Sequence, residues 1–289
     1  MTRLQLLTTL LLTVALCPLL LAGEGKPPKP VPEGNRTGWR GETMPEGMRR
    51  AEEKNVYLWS APAGLEIQMV YVPPGGFIMG SDDGVDDEKP RHTHPMPEGY
   101  YIGQYETTFR EYRAFCRATK RSGPDGRSEK ACEDDHPVVL VTWYEADAFC
   151  DWVGLRLPSE PQWEKAARGT KGREYPWGGN HPSRELCRFS GTLGSHTDPV
   201  GFHPRGTSPY GTHDMAGNVW EWCADWYDSG TYQRYARGQT DSPTSGQLRV
   251  ARGGSWLSNA SAVRSANRGS DESGNCDGGL GFRPVKNLD

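Results

Sequence analysis

Apolar positions in this chain come in short clusters cut by turn formers, and only three stretches sustain a helical period. Thr108-Phe-Arg-Glu111 predicts the first helix start. A Thr side chain there can accept a free N–H of the first turn while the acid three residues on accepts from the Thr N–H. Phe109, Tyr112, Phe115 and Cys116 then share one face. Thr142-Trp-Tyr-Glu145 predicts a second helix, with Ala146, Phe149, Cys150 and Val153 inward and Gly154 as its stop. Ser159-Glu-Pro-Gln162 predicts a third, with Pro161 tolerated in its first turn and Gly169 ending it. The runs Met69–Val72, Phe77–Met79, Tyr100–Ile102, Val138–Val141 and Leu248–Val250 read as strands between turn signals. The class is α+β. From Gly169 to Arg249 the chain is mostly Gly, Pro, Asp, Ser and aromatic residues, longer than an ordinary loop. Aromatic packing, disulfides and bound cations are the expected means of ordering it.

The N-terminus has a different pattern. Arg3, an apolar run from Leu4 to Ala22 and the small pair Ala22-Gly23 give residues 1–23 the layout of a secretory leader, with cleavage near Ala22 or Gly23. An uncleaved anchor is the alternative, since the run is nearly long enough to span a bilayer. Residues 24–60 mix Pro, Gly and charge and read as a linker. Residues 61–289 read as a single domain, with dense apolar spacing beginning near Leu65. The expected location is therefore exported, with no membrane span in the mature chain.

Composition narrows the function classes. Glycine and proline, 36 and 23 of 289 residues, rule out a chain built mainly of long helices. Ten Trp, 12 Tyr and 7 Phe argue against disorder despite a mean hydropathy of −0.73. A net charge of −4 without a Lys/Arg block lacks the electrostatic footprint of a nucleic-acid binder. Of seven cysteines, Cys17 leaves with the leader; the even remainder, Cys116, Cys132, Cys150, Cys187, Cys223 and Cys276, points to disulfides or buried thiols in an exported chain. No C-x-x-C spacing occurs, so a zinc knuckle or thioredoxin-type centre is not indicated.

Several segments then resemble one family in its order. They are Gly75-Gly-Phe-Ile-Met-Gly80, Asp87-Glu-Lys-Pro90, Tyr105-Glu-Thr107, Pro137-Val-Val139, Leu155-Arg-Leu-Pro-Ser-Glu160, Tyr175-Pro-Trp-Gly178, Asp214-Met-Ala-Gly-Asn-Val-Trp-Glu-Trp222, Arg252-Gly-Gly-Ser-Trp256 and Gly281-Phe-Arg283. Together they resemble the formylglycine-generating enzyme, or sulfatase-modifying-factor, domain. The resemblance implies a C-type-lectin-like α+β fold with long loops. It also implies an oxidase that converts a sulfatase cysteine, in a C-x-P-x-R-type sequence, to formylglycine with O2 and copper held by two cysteines. Soft thiolates select Cu(I), and hydroxyls do not replace them.

Here the chain departs from the family. Gly253 to Arg268 reads GGSWLSNASAVRSANR, with Ser258 where the resemblance places the first catalytic cysteine and no counterpart of the second in a shortened segment. Copper is accordingly not expected. A relocated thiol pair from Cys223 and Cys276 is the alternative. The resemblance further implies structural Ca2+ at the Asp214–Glu221 motif, with side-chain oxygens from Asp214 and Glu221 and main-chain oxygens from Gly217 and Val219. Ser255, Trp256, Ser258, Arg264, Arg268 and Arg283 are the candidates to line a substrate cleft; aromatic and Arg side chains suit an extended peptide or a carboxylate, and equally suit a core with ion pairs. The acidic run Asp82–Glu88 reads as a solvated face.

The leading expectation is thus a non-oxidase homologue that binds a peptide, a protein or a polymer in the family's substrate cleft. Its partner could be a sulfatase or an active relative. The rivals are a formylglycine-generating oxidase with relocated thiols and another oxidase on the same scaffold.

Overall fold

Each capping box forms as its sequence requires, and each fixes where a helix begins. In the computed structural model, which describes residues 36–124, 133–192, 194 and 196–288, α1 (Phe109–Thr119), α2 (Trp143–Trp152) and α3 (Glu160–Arg168) are capped by Thr108, Thr142 and Ser159, with Glu111, Glu145 and Gln162 reciprocating. The leader over 1–23, Cys132 and the first part of the expected linker lie outside the described residues.

The apolar faces of α1 and α2 meet through rings: Phe149 lies 5.9 Å from Tyr112, 5.7 Å from Phe115 and 5.4 Å from Phe282 between centroids. Full burial of a side chain of this size stabilises by about 1.5–3 kcal/mol, more than helix propensity contributes over so few turns. The packing therefore sets how these helices sit.

The largest sheet is antiparallel throughout, in the order β1 (Met48–Arg50), β2 (Val56–Ser60), β3 (Glu66–Val72), β6 (Tyr100–Gly103) and β11 (Val285–Asn287). Strands β4 (Phe77–Met79) and β5 (His92–His94) form a hairpin pair. A third sheet runs β10 (Leu280–Gly281), β7 (Trp220–Trp226), β8 (Leu248–Arg252) and β9 (Arg268–Glu272), with β10 parallel to β7 and the other pairs antiparallel. A short helix α4 (Thr231–Ala236) follows β7.

Three expectations change. Residues 36–60 are not a linker: β1 and β2 belong to the main sheet, with Met44, Met48 and Tyr57 buried in its core. Tyr57 ties this segment down by accepting from the Trp39 N–H and donating to Glu42. Val138–Val141 is buried but is not a strand. Its neighbours are loops, Val138 donating to Thr107 O and Leu140 to Asp277 O, and Leu140 turns out of extended backbone at φ 61°. The long stretch after Gly169 contains β7 and α4, and much of its remaining order comes from polar side chains that bond backbone. Arg188 Nε donates to His196 O at 2.9 Å, and Asn218 Oδ1 accepts from Asp198 N at 3.0 Å.

Among the described residues no disulfide orders it. Cys150, Cys187 and Cys223 are buried thiols.

Candidate functional site

The segment that carries the family's chemistry leaves β8 through two glycines that no other residue could replace without strain. Gly253 and Gly254 have φ of 98° and 75°, and a Cβ on Gly254 would stand 2.8 Å from Val263 Cγ1. The turn that follows is closed by serine. Ser255 N donates to Ser258 Oγ at 2.9 Å, Ser258 N donates to Ser255 O at 2.9 Å, and Ser190 N donates to Ser258 O at 2.9 Å. Ser258 thus serves as a turn brace. Trp256 lies across the surface with Nε1 donating to Gly278 O at 3.0 Å.

Further along the same segment, Arg264 helps line a polar cavity of about 280 Å³ with Ser81, Asp82, Asp83, Arg91 and Glu174, with Arg168 at its wall. Of the six cleft candidates read from the sequence, Arg264 alone is among its lining residues. It is held by Glu88 through two parallel bonds of 2.8 and 2.7 Å, the bidentate geometry that suits guanidinium and carboxylate. Glu88 is fully buried and Asp87 Oδ2 accepts from Tyr227 Oη at 2.6 Å, so the acidic run is not simply a solvated face: two of its carboxylates turn inward to internal donors. Asp82, Asp83, Arg91 and Glu174 leave the cavity with charge of both signs.

Arg268 and Arg283 are not cleft residues. They are ion-pair residues of the interior, joined there by Arg252, which the sequence reading did not single out. Glu160 accepts from Arg268 at 2.7 and 2.8 Å and from Arg252 at 2.8 Å. Glu164 accepts from Arg252 at 2.8 Å, Arg168 at 2.7 Å, Tyr232 Oη at 2.7 Å and Gly80 N at 2.8 Å. Burial pushes the Glu164 carboxyl up, but Arg252 and Arg168 outweigh it and hold the group at about 2. The available signal was the spacing of Glu160, Glu164 and Arg168, one turn apart on an α3 otherwise filled by Trp163, Ala166 and Ala167.

The expected calcium residues run from a loop into the start of β7, and Glu221 there is already occupied. Both of its oxygens accept from Arg283 at 2.6 Å, and Oε2 also accepts from Trp163 Nε1 at 2.8 Å. Asp214 Oδ2 accepts from Gly201 N at 2.6 Å, and Gly217 N donates to Gly253 O at 2.8 Å. As arranged, the set does not fit a calcium ion, because a guanidinium sits on the carboxylate that would supply its second side-chain ligand. A third acid, Glu106, lies in the same interior and accepts from Asn218 Nδ2 at 2.8 Å. Burial, then the charges of Asp214 and Glu221, push its carboxyl well above the usual range.

Of the relocated thiol pair, Cys223 is poorly placed to hold a metal. Cys223 is fully buried on β7, packed in the core with Trp163 and Val250. Burial pushes its thiol well up, away from the thiolate that a soft metal needs. Cys187 is likewise pushed up to about 12, by burial and then by Asp214.

The Sulfatase-modifying factor enzyme 1-like domain matches residues 58–288. The chain is 35% identical over 249 residues to serine/threonine-protein kinase Pkn1 of Chlamydia trachomatis, covering 78% of this chain and 39% of that protein. It is 38% identical over 188 residues to the formylglycine-generating enzyme of Streptomyces coelicolor, covering 57% and 58% respectively. It thus spans less than two thirds of either relative. Among solved structures, PvdO from Pseudomonas aeruginosa superposes with a TM-score of 0.66 at 26% identity, covering 77% of this chain and 95% of PvdO. The α+β architecture is that of formylglycine-generating-enzyme-like folds, and the chain belongs to the Sulfatase-modifying factor enzyme 1-like domain family.

Proposed function

We propose that this chain is an exported, non-oxidase member of its family that holds a peptide or protein segment in the mixed-charge cavity beside Arg264. One observation carries the reading: where the resemblance expects sulfur, the hydroxyl of Ser258 is spent on bracing its own turn. One member of the alternative thiol pair is weakened as well, since Cys223 is sealed in the core, where burial raises its thiol pKa. A centre that binds Cu(I) needs accessible thiolates.

The cavity favours a ligand with charge and hydrogen-bonding groups. Arg91 can meet a carboxylate, while Asp82, Asp83 and Glu174 can meet an ammonium or guanidinium. A peptide carries both. Relatives bearing names as different as a protein kinase and a formylglycine-generating enzyme support a scaffold that serves more than one purpose. Export rests on the leader pattern; among the described residues no helix is long and apolar enough to cross a membrane.

Titration of the purified, reduced protein with Cu(I) against a competing chelator tests the reading. No stoichiometric high-affinity copper is expected. One tightly bound equivalent, abolished by Cys223→Ala, would favour the relocated-thiol oxidase instead.

A further inference from the structure

Away from that cavity, the turn Glu133–His136 brings three potential metal ligands together on a firmly held backbone. His136 N donates to Glu133 O at 3.1 Å and closes the turn. Phe109 N donates to His136 O and Arg110 N to Asp134 O, both at 3.0 Å, fixing the turn to the start of α1, and Val200 N donates to Asp135 O at 2.9 Å from the opposite side. One ligand atom from each of Glu133, Asp135 and His136 lies within 4.8 Å of the other two.

An acidic turn alone would indicate little, because exposed carboxylates are ordinarily just hydrated. The buried histidine is the independent observation. His136 is 2% exposed, and its Nδ1 sits 2.9 Å from Thr197 Oγ1. With the Nδ1–H donated to that hydroxyl, Nε2 presents its lone pair toward Glu133 Oε2, which is 3.7 Å away and beyond hydrogen-bond reach. An imidazole oriented through its other nitrogen is the arrangement that metal-binding histidines use.

The intervening carboxylate is already assigned elsewhere. Asp134 pairs with Arg113 at 2.6 Å and lies 3.9 Å from Arg110.

We propose that Glu133, Asp135 and His136 bind a divalent transition ion, Zn2+ in preference to Ca2+ or Mg2+. The choice follows from the donors, since an imidazole nitrogen with two carboxylates suits zinc, whereas the hard cations take oxygen sets. In a tetrahedral set, ligand atoms each ~2 Å from one ion stand ~3.3 Å apart, so closing the set shortens the separations by up to ~1.5 Å, shared between the two exposed carboxylates. Three protein ligands leave a coordination position for water. Asp135 also lines a separate cavity of about 400 Å³ with Tyr105, Glu106, Thr108 and Arg110, so the ion would stand at that cavity's rim.

The test is calorimetric titration of chelator-stripped protein with Zn2+, with melting curves alongside. Wild type is expected to bind one equivalent at this site and to melt higher with zinc. Glu133→Gln and Asp135→Asn, both at exposed positions, are each expected to weaken binding about tenfold or more, and their combination to abolish it. Thr197→Val, which removes only the orienting hydroxyl, is expected to weaken it about tenfold, while Asp134→Asn leaves it unchanged. Absence of stoichiometric binding in wild type, or undiminished affinity in the double variant, overturns the proposal. Equal affinity for Ca2+ overturns the assignment of the ion. These carboxylate variants keep the test independent of any folding defect in His136→Ala.

Discussion

Arg283→Met is expected to destabilise the protein by about 3–5 kcal/mol, the range for breaking a buried ion pair from one side. The Glu221 carboxylate would be left buried with Trp163 Nε1 as its remaining side-chain donor, in an interior that also holds Glu106 and Asp214. Three carbonyls would lose a donor too, since Arg283 reaches Gly103 O at 3.1 Å, Gln104 O at 3.2 Å and His213 O at 2.9 Å. Urea unfolding at neutral pH measures the loss. Adding Glu221→Gln removes the stranded charge, so the double variant is expected to recover part of the stability, a coupling that a thermodynamic cycle reads directly. A loss below ~1 kcal/mol in Arg283→Met would show that the pair does not hold this interior together.

Arg252→Met is expected to cost a comparable amount and also to change the acid limb. Arg252 donates to both Glu160 and Glu164, so its removal weakens two buried pairs at once. In the wild type the Glu164 carboxyl is held at about 2, below its unfolded value of roughly 4.3. A depressed folded pKa stabilises above the unfolded value and that contribution disappears as pH falls through the folded one. The window is therefore from about 4.3 down to about 2, worth on the order of 3 kcal/mol. With Arg252 gone, the Glu164 pKa rises and the acid loss begins at higher pH. Unfolding curves collected across that window in both proteins compare the two limbs; coincident acid limbs would mean that Arg252 does not set the Glu164 charge.

How much of this was legible in the sequence depended on distance along the chain. Thr108, Thr142 and Ser159 announced their helices because a capping box is complete within four residues. The family motifs were equally local, and so was the missing sulfur at Ser258. What the sequence could not disclose was which charge meets which. Arg264 finds Glu88 across 176 residues, Arg268 finds Glu160 across 108, and Arg283 finds Glu221 across 62. Without those partners, three interior guanidinium groups and a cavity wall look alike. Strand β2 escaped because its short apolar run stands between charged and Pro-rich stretches, and pairing with β1 and β3 is what gives it a face to bury. Val138–Val141 was over-read for the opposite reason: apolar enough for a strand, it has loops instead of strands to pair with.

The most direct measurement is mass spectrometry of a C-x-P-x-R peptide incubated under air with reduced, copper-loaded protein. The peptide cysteine is expected to be recovered unchanged. Its catalytic conversion to formylglycine would contradict the claim that this scaffold has given up the family's thiolate centre.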